Sequence, residues 1–561
     1  LQLPQFNRQR YNQVVVKKFF TESANWLKKE HQSILSAAAI ISISYLASAL
    51  LGLIKNRLLA ARFFGGLEAD LDVYFAALVI PDTLFQLLIA GALSAAFVPI
   101  YQDYLGKSQH EANRLTNATL TSFSLILSLL IVLLIIFALP IANLITHFSP
   151  SQTTLMAELM RLMAVAQFFF AVSAFLTGVL QTHRRFLIPA IAPLFYNLGI
   201  IITIFFFSSS LGIYSAALGM IVGAILHLVI QLPQARLVGF HLRPVFNFNH
   251  PGSRTILRLM PPRSAALGIV QIERFITINL ISILSVGSLS LFNFARQLYL
   301  LPISLFGVAL GQAAFPSLSE EVSRKNFDRF KDTLSKALSQ VVFFSLPASI
   351  VLLVLRIPLV RLVFGADSFP WEATLLTGKT LAILAFTITP QATTHVLIRA
   401  FYAQKDTRTP LYVNLVTITI FALLGFIFTR IYSLGIIGIA LALSFSNSLD
   451  FLLLYQLINR RIGRLYLGFK FLKMIIAGFF TAVFLWLPMR LLDQFVFDTT
   501  RTLPLIILTL VVSLIGLAVY LGLSALFRVE ELAEVQALVK KLGNWRRILS
   551  HSQEVIESPQ S

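Results

Sequence analysis

Apolar runs too long for a soluble core dominate this sequence. Leu125 to Ile136, Phe168 to Val179, Leu198 to Phe207 and Leu503 to Val519 are each bracketed by polar or charged turns. A helix needs roughly 20 mostly apolar residues to cross the hydrocarbon of a bilayer, and segments of that kind recur over most of the chain. Composition agrees: 57% of the 561 residues are hydrophobic and 12% are charged, against about 45–50% and about 25% in soluble domains. The expected fold class is an all-α polytopic membrane protein of about fourteen transmembrane helices.

Two stretches repeat at a single offset. Ala92, Leu93, Ala96, Pro99 and the Pro193-Leu194 and Asn197-Leu198 pairs recur 217 positions later as Ala309, Leu310, Ala313, Pro316, Pro410-Leu411 and Asn414-Leu415. One offset serving segments about a hundred residues apart implies a duplicated bundle. The offset spans an even number of helices, so the copies run parallel and are related by an axis along the membrane normal, with a transport cleft between them. The expected organisation is an N-terminal segment 1–33, an N-lobe of helices 1–6 over 34–235, a cytoplasmic linker 236–256, a C-lobe of helices 7–12 over 257–459, a C-terminal helix pair within 460–527 and a cytoplasmic tail 528–561. The two six-helix lobes are expected to be pseudo-symmetric. In 1–33, Val14, Phe19, Phe20 and Trp26 among several lysines suit a basic amphipathic helix on the inner membrane surface, with a disordered cytosolic tail as the alternative.

The formal charge of +20 invites a nucleic-acid reading, and the placement of the cations argues against it. Lys17, Lys18, Lys28 and Lys29 precede the first helix, and Lys107 and Arg114, Arg184 and Arg185, Arg236 to Arg258, Arg324 to Lys331, Lys405 and Arg408, Arg460 to Arg464, and Arg546 and Arg547 fill every second connection. The intervening connections near 150, 210 and 286 hold no Lys or Arg. This is the positive-inside pattern; it puts both termini in the cytoplasm and implies a multi-pass protein of the cytoplasmic membrane. With no cysteine, disulfides, thiol catalysis and Cys-metal sites are excluded. The first apolar run follows about thirty polar residues without a small-residue cleavage site, so no removable signal peptide is expected.

Charge inside a membrane helix costs a few kcal/mol and marks candidate sites. At 100° per residue, Ser44, Ser48, Gly52, Lys55 and Arg62 of the first helix fall within roughly 80° of arc. That polar stripe ends in two cations about 10 Å apart, with Asn56 beside it, whereas Arg57 points elsewhere. In helix 8, Asn293, Arg296, Gly307, Gly311 and Ala314 share a face, which predicts space beside a buried cation. Helix 7 groups Ser264, Gln271, Arg274 and Ser282; Arg274 either lines the cavity or pairs with a carboxylate of a neighbouring helix. Asp72 and Asp82 bracket the start of helix 2, and Asp72 reads either as an N-cap or as a gate or counter-ion for Lys55 or Arg62. His183, His227 and His395 make no metal-ligand pattern and read as structural, and neither a metal nor a cofactor is expected. Pro81, Pro99, Pro189, Pro193, Pro302, Pro316 and Pro390 suit kinked helices. No phosphate-cradling loop, nucleophile elbow or metalloprotease helix is present; Gly378-Lys379-Thr380 lacks the upstream glycine. Enzymatic chemistry is therefore not expected, and any translocation draws on an ion gradient, the membrane potential or downstream use of the cargo.

The run Gly91-Ala-Leu-Ser-Ala-Ala-Phe-Val-Pro-Ile100, preceded by Asp72-Val-Tyr-Phe-Ala-Ala and Ile80-Pro-Asp, resembles the MurJ (MviN) lipid II flippases of the multidrug/oligosaccharidyl-lipid/polysaccharide exporter superfamily. Arg185-Phe-Leu-Ile-Pro-Ala-Ile-Ala-Pro193, Val308-Ala-Leu-Gly-Gln-Ala-Ala-Phe-Pro-Ser-Leu-Ser319 and Phe401-Tyr-Ala-Gln-Lys-Asp-Thr-Arg-Thr-Pro410 agree with it, and the likeness covers roughly 34–527. The resemblance implies fourteen helices, a cationic central cavity, and alternating access for an undecaprenyl-pyrophosphate-linked peptidoglycan precursor in the bacterial inner membrane. It also implies that helices 13–14 form a groove for the lipid tail. On this footing Lys55, Arg62, Arg296 and Arg274 are the substrate-binding cations, and Ser48, Asn56, Asp72, Gln271 and Asn293 gate or line the cavity. Some family positions differ: Ala49 and Phe85 stand where arginines are usual, and Asn56 and Tyr299 where acids are usual. Those departures keep open a flippase for another lipid-linked oligosaccharide, and a cation-coupled drug exporter is a third reading.

Overall fold

The computed structural model describes residues 34–90, 97–247, 249–365, 368–465, 468–497 and 501–533. The segment 1–33, the repeat residues Ala92, Leu93 and Ala96, and most of the tail 528–561 lie outside the described residues. Every regular element among those described is helical. Two compact units form, dividing between Ser290 and Leu291, with Ser368 and Phe369 of a later loop belonging to the first.

The first unit holds α1 (Ile34–Phe63), α2 (Glu68–Ala77), α3 (Val79–Phe85), α4 (Val98–Leu105), α5 (Gln109–Ile145), α6 (Pro150–Thr182), α7 (Leu187–Leu211), α8 (Tyr214–Val229), α9 (Leu232–Leu237), α10 (Pro251–Ile281) and the first residues of α11 (Ser288–Pro302). Polar residues set where these helices begin. Ser108 accepts from the Glu111 N–H to start α5, and Ser149 makes a capping box with Gln152 at α6. Helices α7 and α8 approach so closely that a Cβ on Gly199 would sit 2.5 Å from Gly223 Cα, so both positions need glycine.

The second unit continues α11 and adds α12 (Ala309–Ser323), α13 (Phe327–Val354), α14 (Arg356–Phe364), α15 (Trp371–Ala385), α16 (Ile388–Ala403), α17 (Arg408–Phe426), α18 (Gly435–Ile462), α19 (Gly468–Phe495) and α20 (Thr502–Leu526). The Phe401–Pro410 motif is its clearest turn. Asp406 accepts from the Arg408 and Thr409 N–H groups at 3.0 Å and pairs with Arg461 at 2.7 Å, tying the α16–α17 turn to the end of α18. Partial burial pushes this carboxyl up, but the Thr409 N–H and hydroxyl and the Arg461 guanidinium outweigh it and hold Asp406 down at about 2. The C-terminal pair closes on itself where Gly516 meets Leu485, and the Tyr520 hydroxyl donates to the Phe343 carbonyl at 3.0 Å.

Twelve spans among the described residues, some joining consecutive helices as Glu68–Ile89 and Tyr214–Leu237 do, are long and apolar enough to cross a bilayer, and α15 with α16, bent by 45°, makes a thirteenth when the pair is counted as one span. The fourteenth expected span is helical as α10, 31 residues or about 46 Å long. Arg254, Arg258, Arg263, Glu273, Arg274 and Pro261-Pro262 dilute its apolar character. The repeat reappears as a shared irregularity: wide π-helical turns cover Gln86–Ala90 and Ile303–Val308, starting 217 positions apart, and a proline, Pro99 or Pro316, follows each.

The compact units do not divide at the expected linker 236–256, because that linker and the helix after it are fixed to the first unit. Asn113 donates to the Gly239 carbonyl at 2.7 Å, Asn117 donates to the His241 carbonyl at 2.9 Å and accepts from the Arg243 N–H at 3.0 Å, and Thr121 accepts from the Val245 N–H at 3.0 Å. Asn113, Asn117 and Thr121 stand one turn apart on one face of α5, so residues 239–245 are held along that face. Further along, Ser264 donates to the Leu87 carbonyl, Asn279 to the Ile145 carbonyl at 3.3 Å, and Ser282 accepts from the His147 N–H at 2.9 Å.

Candidate functional site

The polar stripe of α1 faces its neighbours within the first unit. Ser44 is buried, and Asn197 of α7 donates to the Ser48 carbonyl at 3.2 Å and to its hydroxyl at 3.3 Å, so this end of the stripe is a helix–helix seam. Lys55 is half-buried on the same stripe and has no hydrogen-bond or ion-pair partner among the described residues. Asn56 beside it is buried, and Arg62 is exposed in the last turn.

Asp72 is 4% exposed and does not pair with Lys55 or Arg62. Its carboxylate accepts from the Gly287 N–H at 2.8 Å, the Ser290 N–H at 2.7 Å and the Ser290 hydroxyl at 2.6 Å. It therefore caps the N-terminus of α11 rather than its own helix, meeting donors that a helix start leaves open. The counter-ion expectation is corrected: those donors saturate the carboxylate.

A third cluster joins α3 to α10. Arg274 Nη1 lies 2.6 Å from Asp82 Oδ2 and 3.3 Å from Gln271 Oε1, and the Thr83 hydroxyl reaches Gln271 at 3.4 Å. Arg274 thus takes the carboxylate-paired role and is not an unpaired cation. The pair borders a pocket of about 340 Å³ also lined by Phe85, Gln167, Phe170, Tyr196 and His227. In the sequence Asp82 stood out only as one of two acids bracketing the start of helix 2; Gln167 and Tyr196 carry no sequence signal that separates them from packing residues. Because each charge of the pair is over a third exposed, the net worth of the contact is screened. Removing one partner leaves the other charge unpaired in a membrane span, at a cost below the ~2.5–3.5 kcal/mol that insertion scales give a charge at the bilayer centre, because this one is partly exposed. Arg274→Leu is therefore expected to lower thermal stability, with Asp82→Leu in the same chain restoring most of it. Additive losses in the double variant would show that the two side chains act independently.

In the second unit, Arg296 and Asn293 are half-buried on α11. The space expected below Arg296 is filled. A Cβ on Gly307 would meet Ala392 Cα at 2.6 Å, and one on Gly311 would meet the His395 carbonyl at 3.3 Å, so the small residues admit α16 against the α11–α12 span. Small side chains serve close backbone approach in a membrane as readily as they line a cavity. Tyr299 is buried and its hydroxyl accepts from Asn447 at 3.0 Å.

Comparison with known proteins places this architecture. The family profile described as "Lipid II flippase MurJ" matches residues 60–520. A probable lipid II flippase MurJ from Thermotoga maritima is 30% identical over 88% of this chain and 97% of its own length. The lipid II flippase MurJ of Burkholderia cenocepacia is 27% identical over 75% of this chain and 84% of its own. Among solved structures, a lipid II flippase MurJ in an inward closed conformation superposes with a TM-score of 0.72 at 28% identity, covering 87% of this chain and 98% of that one. An inward-facing multidrug MATE transporter of the MOP superfamily, at 14% identity and a TM-score of 0.63, shares the fold.

Proposed function

The chain belongs to the lipid II flippase MurJ family, and from that premise we propose that it carries lipid II from the inner to the outer leaflet of the bacterial cytoplasmic membrane for cell-wall synthesis. The observation that supports this most is a family match running unbroken from 60 to 520, from the end of α1 into α20. The protein works as a transporter and breaks no bond in its cargo. Alternating access delivers the head group because an anion that binds the two states unequally shifts their balance.

Lys55, Arg62 and Arg296 are the cations assigned to the undecaprenyl-linked pyrophosphate, and Lys55 is the strongest of them. A half-buried ammonium with no described partner attracts a phosphate group more strongly than water would suggest. Asn56, Gln271 and Asn293 line the route, Ser48 holds α1 to α7 through Asn197, and Arg274 acts through its pair with Asp82. Asp72 is the gating residue, since releasing Gly287 and Ser290 frees the start of α11. The isoprenoid stays in the bilayer along α19 and α20, where Phe469, Phe479, Leu510 and Leu514 are exposed. Both termini face the cytoplasm by the placement of the basic connections. The membrane potential or a coupling ion drives the cycle.

In cells depleted of their own lipid II flippase, expression of this chain is expected to restore growth and externalised lipid II. Normal membrane levels of the protein with no externalised lipid II would overturn the reading. Ala49 and Phe85 at usual arginine positions favour a second cargo, another lipid-linked oligosaccharide, and exchange of the head group in the same assay separates the two.

A further inference from the structure

The pocket beside Asp82 and Arg274 differs in character from a pyrophosphate site. Its two charges neutralise each other at 2.6 Å, so a doubly charged anion entering it would be desolvated against a carboxylate without net compensation. What the pocket offers instead is uncharged polarity next to aromatic surface. Gln167 of α6 is 3% exposed, lines the pocket, and has no hydrogen-bond partner among the described residues. The Tyr196 hydroxyl of α7 is likewise without one. The Gln167 amide and the Tyr196 hydroxyl are therefore available to exchange hydrogen bonds with a polar guest in the pocket.

Much of the wall is built of rings. Phe170 contacts Tyr196 at 5.0 Å and 71°, His227 at 5.5 Å and 66°, and Phe85 at 6.0 Å and 59° between centroids and planes. His227 has already used Nδ1 on Ser173 at 2.6 Å, which fixes its ring as part of that wall. The volume of about 340 Å³ lies at the small end of ligand sites, room for one substituted ring and not for a whole head group.

From these features, and resting on the flippase reading, we infer that this pocket is the subsite for an N-acetylhexosamine ring of the lipid-linked cargo. The C–H faces of the ring pack on Phe85 and Phe170. Its hydroxyl and acetamido groups exchange hydrogen bonds with Gln167, Tyr196, the free Asp82 oxygen and the remaining N–H groups of Arg274. Phe85, which departs from the usual arginine, thereby acquires a role as a sugar platform. The unshared cations are left to the pyrophosphate.

The test compares two ligands on the purified full-length protein in nanodiscs: lipid II, and undecaprenyl pyrophosphate, which has the same anion and tail without the sugars. Wild type is expected to bind lipid II more tightly. Gln167→Leu and Tyr196→Phe should each weaken lipid II binding by about tenfold and leave undecaprenyl pyrophosphate binding unchanged. Met220→Phe fills the same pocket without removing a polar group and should act likewise, which covers the case in which Gln167→Leu fails to fold. Variants that bind lipid II as wild type does, or that lose both ligands equally, would overturn the subsite and leave the flippase reading standing. Wild-type protein that binds neither ligand would overturn the flippase reading, and the subsite with it.

Discussion

Asp72→Ala is expected to cost the folded protein at least about 3 kcal/mol, because three donors lose their acceptor at once and each unmet buried group costs about 1–3 kcal/mol. The Gly287 and Ser290 N–H groups and the Ser290 hydroxyl are all within 2.8 Å of this one carboxylate. No intrahelical carbonyl can replace it at the start of α11. Asp72→Asn keeps one acceptor oxygen and should recover roughly half of the loss. Thermal unfolding of the purified protein in nanodiscs measures both, and lipid II externalisation in depleted cells should fail for the alanine variant even where protein level is rescued by low temperature. An alanine variant as stable and as active as wild type would make Asp72 a bystander.

Lys55→Ala should remove transport with little loss of stability, since this ammonium has no partner among the described residues to leave stranded. A charge-assisted contact to a phosphate is worth about 1.5–3 kcal/mol, or about 10- to 150-fold in affinity. The loss should therefore fall equally on lipid II and on undecaprenyl pyrophosphate, in contrast to the sugar-pocket variants. Lys55→Arg keeps the charge and should keep most of the activity. Unchanged affinity for both lipids in the alanine variant would take Lys55 out of the site.

The chain's own letters reveal its membrane class because hydrophobic period and run length are local properties, written residue by residue. The duplication was legible for the same reason, and the paired π-helical turns at 86 and 303 carry it into three dimensions. Helical wheels were less dependable. The α1 wheel put Ser44, Ser48 and Lys55 on one face, but a wheel does not say what that face meets: Ser48 meets Asn197 of α7, and Ser44 is buried. Gly307 and Gly311 looked like room for a ligand and instead admit Ala392 and His395 of α16. The linker 236–256 was read from its prolines and charge as a boundary, whereas Asn113, Asn117 and Thr121 stitch it to α5.

Sequence alone thus determined that this is a duplicated, all-helical membrane transporter with cations placed in its spans, because burial in lipid constrains every turn of every helix independently. Tertiary structure alone decided which of those charges are spent and which are available. Asp72 is spent on a helix end 215 residues away and Arg274 on Asp82, while Lys55 has no such contact among the described residues. Pairing depends on which helices become neighbours, and electrostatic energy falls off over a few ångströms, a distance that has no counterpart in chain order.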